Sequence, residues 1–202
     1  MQEALKEDHF KTLVSEARGD YKEKGSKFFA IAFPVANLED FKEELQKIKK
    51  EYHDARHWCF AYRINPEQPE TRANDDGEPG NSAGMPIFNQ LQSFEVWNTA
   101  LVVVRYFGGT KLGVSGLVNA YKLAAQEALQ NAEIETHYIL KEVEIEFPYK
   151  LMNDISRLIK NENIQILGEN MGITGGYTLG FPKNEADRII KLIEVFHEIK
   201  IS

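Results

Sequence analysis

A single cysteine, Cys59, occurs in the 202 residues, so no disulfide can form within the chain and packing alone must hold its core. No apolar run approaches the roughly 20 residues of a membrane span. The opening, MQEALKEDHF, is too polar for a signal peptide. These absences lead to the expectation of a cytoplasmic protein in a reducing compartment. Basic residues are outnumbered: 24 Lys and Arg stand against 31 Asp and Glu, a net charge of −7. That balance argues against tight, non-specific binding to duplex nucleic acid, where cation–phosphate contacts dominate affinity, but leaves room for a local basic patch. Also missing are H-E-x-x-H, an EF-hand loop, a Walker A loop, G-x-G-x-x-G and the G-x-S-x-G elbow. Neither a cofactor nor a metal is expected.

What is present is ordinary globular material, 43% hydrophobic, enough for a core that needs no disulfide or structural metal. The chain is organised around Thr99 to Tyr121. Ala100 to Val104 reads as a buried strand, Gly108, Gly109 and Gly113 as a turn, and Leu117, Tyr121, Ala124 and Ala128 as the inner face of a helix. No Asp or Glu occurs from Val96 to Gln126, in a chain otherwise rich in acids. Arg105 and Lys111 stand between strand and helix. Glycines before a helix N-terminus present free N–H groups, and adjacent cations favour an anion. The competing reading is a sharp turn with its cations paired to carboxylates.

Elsewhere, Phe10 to Ser15 reads as a strand, with a turn at Gly19 and Asp20. Lys27 to Phe33 reads as a second strand. Asn37 is the N-cap of a helix with Leu38, Phe41, Leu45, Ile48 and Tyr52 on one face. His57 to Ile64 alternates as a strand. Asn65 to Asn81 reads as a long loop, and Gly84 to Leu91 as a short helix. A polar break at Glu133 to His137 suggests two domains, 1–135 and 138–202. The second half runs strand (Val143 to Phe147), helix (Met152 to Ile159), strand (Ile164 to Leu167), strand (Ile173 to Phe181), an Asn184-capped helix, and a closing strand at Ile199 to Ile201. That order is βαββαβ, a ferredoxin-like unit, with Gly175 and Gly176 taken as turn residues. The fold class is α+β.

Three segments carry the polar chemistry: HDARH from His53, NDDGEP from Asn74, and the organising stretch. His53, His57, Asp75, Asp76 and Glu78 contain metal-ligating types, but His53 and His57 do not share a helix, so a hydrogen-bonded turn is the better reading. Asp75, Asp76 and Glu78 are suited to capping the following helix, or to pairing with Arg56 or Arg105 and holding the loop against the sheet. Cys59 shares a strand face with His57 but reads as a small core residue. Tyr106 or Phe107 would stack on a base if exposed, although burial of both rings is expected.

HDARHWCFAYR, NDDGEPGNSAGMP and VVVRYFGGTKLGVSGLVNAY, in that order and spacing, resemble the YigZ/IMPACT family, and KGSKFFA is similar to its opening motif. The resemblance extends over nearly the whole chain. It implies a first domain like elongation factor G domain IV and a ribosomal-protein domain, and a second like the last domain of that factor. Eukaryotic relatives regulate translation, using an extra domain that this chain lacks. The implied partner is RNA or the ribosome, with a protein partner also open. The implied surface is Arg56, His57, Arg105, Gly108, Gly109, Lys111 and Gly113, with Asp75, Asp76 and Glu78 as loop acids. Met85, Asn119 and Ser115 depart from the family pattern, the first two replacing common cations. Two alternatives stand beside RNA binding. One is a hydrolase of a small phosphorylated or peptidic substrate, with one of the acids as base and His57 as its partner. The other is a protein-interaction module.

Overall fold

The computed structural model describes residues 8–202, which divide into two compact units, one spanning Phe10–His137 and the other Tyr138–Ser202 with the short stretch at 8–9. The chain is mixed α and β with antiparallel sheets.

The first unit is built on a five-stranded sheet. Its strands are β2 (Ala17–Glu23), β3 (Ser26–Pro34), β4 (His57–Ile64), β5 (Glu70–Asn74) and β6 (Thr99–Tyr106), in the order β2-β3-β6-β4-β5. All neighbours are antiparallel. β6 lies in the middle and is buried on both faces, which is why ALVVV shows no alternation. On one face, Phe28, Ala30, Cys59, Ala61, Leu101 and Val103 pack against α2 (Gly84–Ser93) and α3 (Gly113–Gln130). On the other, Ile31, Phe33, Phe60, Tyr62, Val102 and Val104 receive Phe41 and Ile48 of α1 (Leu38–Glu51). Asn37 caps α1 as its position implies, its side-chain oxygen accepting from the N–H groups of Glu39 and Asp40 at 2.9 and 3.0 Å.

Several expectations are corrected. Gly19 and Asp20 lie inside β2, and the turn is at Lys24 and Gly25. Gly19 is needed for close approach: a Cβ there would sit 2.4 Å from the Ala128 nitrogen of α3. The stretch from 65 to 81 is not all loop, because β5 pairs with β4 from Phe60↔Asn74 to Ile64↔Glu70. As an edge strand of sequence ETRAN it has no apolar face to announce it. The polar stretch ahead of the second unit is not irregular: β7 (Ile134–Tyr138), largely exposed, pairs with β1 (His9–Leu13).

The second unit follows the order β8 (Leu140–Phe147), α4 (Met152–Asn161), β9 (Gln165–Met171), β10 (Gly175–Pro182), α5 (Ala186–Glu194) and β11 (Lys200–Ile201). Its sheet order is β11-β8-β10-β9. Val143, Ile145, Phe147, Tyr177, Leu179 and Phe181 form its core with Ile155, Ile189 and Ile193 from the helices. Gly175 and Gly176 belong to β10 rather than to a turn, and a Cβ at Gly175 would lie 2.6 Å from the Phe147 ring. Asn184 is not the cap of α5: it lies in a 3₁₀ turn, and Glu185 precedes the helix without a side-chain cap bond.

Candidate nucleic-acid interface

The antiparallel register aligns Phe28 of β3, Arg105 of β6 and His57 of β4 in one row across the sheet. Successive residues alternate faces, so this row shares its side with Cys59 and Val103, toward α3. Arg105 is therefore not free at the turn. Its Nη1 donates to Glu78 Oε1 at 2.5 Å, with the two side chains only 8% and 4% exposed. The guanidinium also lies 5.6 Å from the Phe28 ring centroid and 5.7 Å from that of Phe107. Its Nε is buried without a hydrogen-bond partner among the described residues.

Tyr121 completes this network. From the buried face of α3 its hydroxyl donates to the same Glu78 oxygen at 2.8 Å and accepts from the Cys59 thiol at 3.3 Å. Cys59 Sγ also lies 3.0 Å from the Asp75 carbonyl oxygen. Burial pushes both the Cys59 thiol and the Tyr121 phenol well above their ordinary ranges, and the nearby Glu78 carboxylate acts in the same direction. Cys59 is thus a neutral core group, as its place between Trp58 and Phe60 implies.

The loop acids hold the NDDGEP segment. Asp75 Oδ1 accepts from the N–H groups of Ala83 and Gly84 at 2.9 and 2.8 Å, and Oδ2 accepts from Asn81 N–H at 2.9 Å. Ala83, the residue before α2, has no side-chain acceptor, so Asp75 caps that helix from eight residues upstream. Asp76 Oδ2 accepts from Trp58 N–H at 2.7 Å. His57 Nδ1 lies 2.9 Å from the Asp76 carbonyl oxygen. A carbonyl only accepts, so Nδ1 is the donor in this contact. His57 touches no carboxylate through these bonds, and no group of three or more His, Cys, Asp or Glu among the described residues is arranged for a metal.

The glycine turn itself is open. Gly108 is the exception, since its added Cβ would fall 1.9 Å from the Gly25 carbonyl carbon. Its N–H donates to Ser26 Oγ at 3.1 Å, locking the turn to the start of β3. Gly109 and Gly113 adopt φ of +87° and +72° with nothing near their missing side chains. Lys111 is exposed and forms no ion pair with another described residue, and the same holds for Arg56 just before β4. α3 begins with no acid in its first turn and no side-chain cap, so its N-terminal N–H groups have no side-chain acceptor among the described residues, two residues past Lys111. Phe107 is 58% exposed, against the expected burial, and Tyr106 is half-buried. The Tyr106 hydroxyl donates to Asp54 Oδ1 at 2.5 Å, which pushes the phenol up to about 12 and holds the Asp54 carboxyl below its usual range.

Sequence reasoning missed the role of Tyr121. The available signal was a tyrosine on an otherwise alanine- and leucine-lined helix face, where a buried hydroxyl needs a partner. It also missed Gly25 as the partner of Gly108, a contact between residues 83 apart that leaves no local pattern.

Fold and site together define a two-unit α+β protein whose polar residues converge on a strand–glycine turn–helix surface. The Impact N-terminal domain family model matches residues 24–129, from the turn before β3 through nearly all of α3. IMPACT family member YvyE of Bacillus subtilis is 33% identical over 135 residues, covering 67% of this chain and 62% of that protein. An IMPACT family member of Haemophilus influenzae is 32% identical over 148 residues, covering 72% of each chain. In three dimensions, a crystal structure of a hypothetical protein superposes with a TM-score of 0.71 at 25% identity, over 98% of this chain and 97% of that one. The chain belongs to the IMPACT family, as its motifs imply.

Proposed function

We propose that this chain is a translation-associated cytoplasmic protein that binds RNA or the ribosome through its first unit. The observation that carries the reading is the uncapped, acid-free start of α3 on an open glycine turn with Lys111, which forms no ion pair among the described residues. A phosphate there gains about 0.3–1 kcal/mol from an exposed helix terminus, and up to about 2 when partly buried. A charge-assisted hydrogen bond from Lys111 adds roughly 1.5–3 kcal/mol. Such a site is weak alone, so RNA is held only with further contacts. Arg56 and His57, at the neighbouring end of β4, extend the surface. Arg105 serves it indirectly, holding the NDDGEP loop against the sheet through Glu78.

The first unit is proposed to share the architecture of elongation factor G domain IV. The second, with its antiparallel sheet order and two helices, is proposed to be ferredoxin-like and to fold as a domain of its own, 138–202. Membership of a family whose eukaryotic relatives regulate translation supports the setting. The hydrolase reading is less favoured because Asp75 and Asp76 accept from backbone amides and Glu78 from Arg105, leaving none as a poised base. In a titration of fluorescent single-stranded RNA at several salt concentrations, Lys111→Ala is expected to weaken binding equally for all sequences and to reduce the salt slope by about 1. An unchanged affinity and slope in folded Lys111→Ala would leave the turn as a packing device.

A further inference from the structure

Beside the glycine turn lies an open groove of about 350 Å³ lined by Gly25, Lys27, Phe29, Tyr52, Tyr106 and Phe107. Its floor is aromatic and braced. Phe29 stacks on Tyr52 at 5.7 Å and meets Tyr106 edge-on at 5.9 Å, and Tyr106 is anchored through its hydroxyl to Asp54. The groove is continuous with the turn, because Gly25 packs backbone to backbone on Gly108 and Phe107 immediately precedes it.

Two features select the occupant. Phe107 exposes more than half of its surface at the groove wall, although its face is attractive to the buried guanidinium of Arg105 beneath it. Lys27 in the groove and Lys111 on the adjoining turn form no ion pair with described residues, and the Asp54 carboxylate at the groove is held by the Tyr106 hydroxyl. A flat apolar surface beside lysines that pair with no carboxylate matches a group that is itself flat, with an anion attached. A purely apolar peptide side chain would leave both lysines unused, whereas a nucleotide uses the rings and the charges together.

We infer that this groove is a stacking subsite for one unpaired nucleobase of single-stranded RNA, with the adjoining phosphate directed to Lys27 and the turn. The inference rests on the RNA reading above and adds the chemical form of the ligand: unpaired, base-bearing, and without sequence readout, because every base offers a π-face. Phe107 supplies the exposed wall, and the braced Phe29–Tyr52–Tyr106 cluster supplies the floor.

The test uses the full chain and three fluorescently labelled probes of equal length: oligoadenylate, oligouridylate and an abasic ribose-phosphate chain. Wild type is expected to bind oligoadenylate and oligouridylate more tightly than the abasic chain. Phe107→Leu, which keeps apolar bulk but removes the π-face, is expected to weaken both base-bearing probes by about 5- to 150-fold, the equivalent of about 1–3 kcal/mol per stacked base. It should leave the abasic chain unaffected, and Phe107→Trp should retain wild-type affinity. Circular dichroism confirms that each variant is folded. Equal binding of all three probes, with Lys111→Ala weakening them alike, would overturn the stacking subsite and leave the phosphate site standing. Binding of none would overturn both.

Discussion

Replacing Glu78 by glutamine removes the charge that balances Arg105 and almost nothing else. The amide still offers Tyr121 an acceptor, so the tyrosine hydrogen bond is largely retained. The two partners are 4% and 8% exposed, so solvent gives little screening of the charge left behind. Breaking a buried pair in this way costs about 3–5 kcal/mol. The rings of Phe28 and Phe107 lie near the guanidinium in both proteins, so they leave this difference unchanged. Such a loss is a large share of the roughly 5–15 kcal/mol that stabilises a folded domain. Both tryptophans, Trp58 and Trp97, lie in the first unit, so tryptophan fluorescence during urea unfolding reports on that unit alone. The midpoint is expected to fall in Glu78→Gln at an unchanged slope. Adding Arg105→Met should recover most of the loss, because an uncharged pair of similar bulk avoids the desolvation penalty. A loss below about 1 kcal/mol in the single variant, or a double variant less stable than the sum of the singles, would refute this account of the network.

Cys59→Ala is expected to lower stability by about 1–3 kcal/mol through a small cavity and the lost thiol contacts, leaving RNA binding unchanged. The Cys59 thiol is held above its unfolded value, so its contribution is fully present below the ordinary thiol range near 8.5 and is lost as pH rises beyond it. The stability gap between wild type and Cys59→Ala should therefore shrink by about 1.4 kcal/mol per pH unit above that point; a constant gap between pH 8 and 10 would contradict the burial argument. Residues 138–202 expressed alone should unfold cooperatively and show dispersed amide resonances, and a collapsed, undispersed spectrum would count against an autonomous second domain.

Among the described residues, no helix is long and apolar enough to cross a membrane, in keeping with the absence of long apolar runs in the sequence. Elements with a buried stripe were legible from periodicity in β3, α1, β4 and α3, and β6 from its unbroken apolar run. The elements that escaped, β2, β5 and β7, are mostly polar and lack a continuous apolar stripe, so hydrophobic pattern carries little trace of them. The glycine turn and its acid-free window were also visible, because composition and backbone freedom are local properties. Whether Arg105 faces solvent or Glu78 was open in the sequence, since both uses require the same residues. The register of β3, β6 and β4 decided it by setting Arg105 in the row facing α3, where Tyr121 and the NDDGEP loop close over it. The exposure of Phe107 has the same origin: one residue past the end of β6, its ring lies over Arg105 and not within the sheet core. Local sequence sets which segments are helix, strand or turn, but polar partners distant in the chain meet only once strand register and helix placement are established, and those depend on packing the whole core at once.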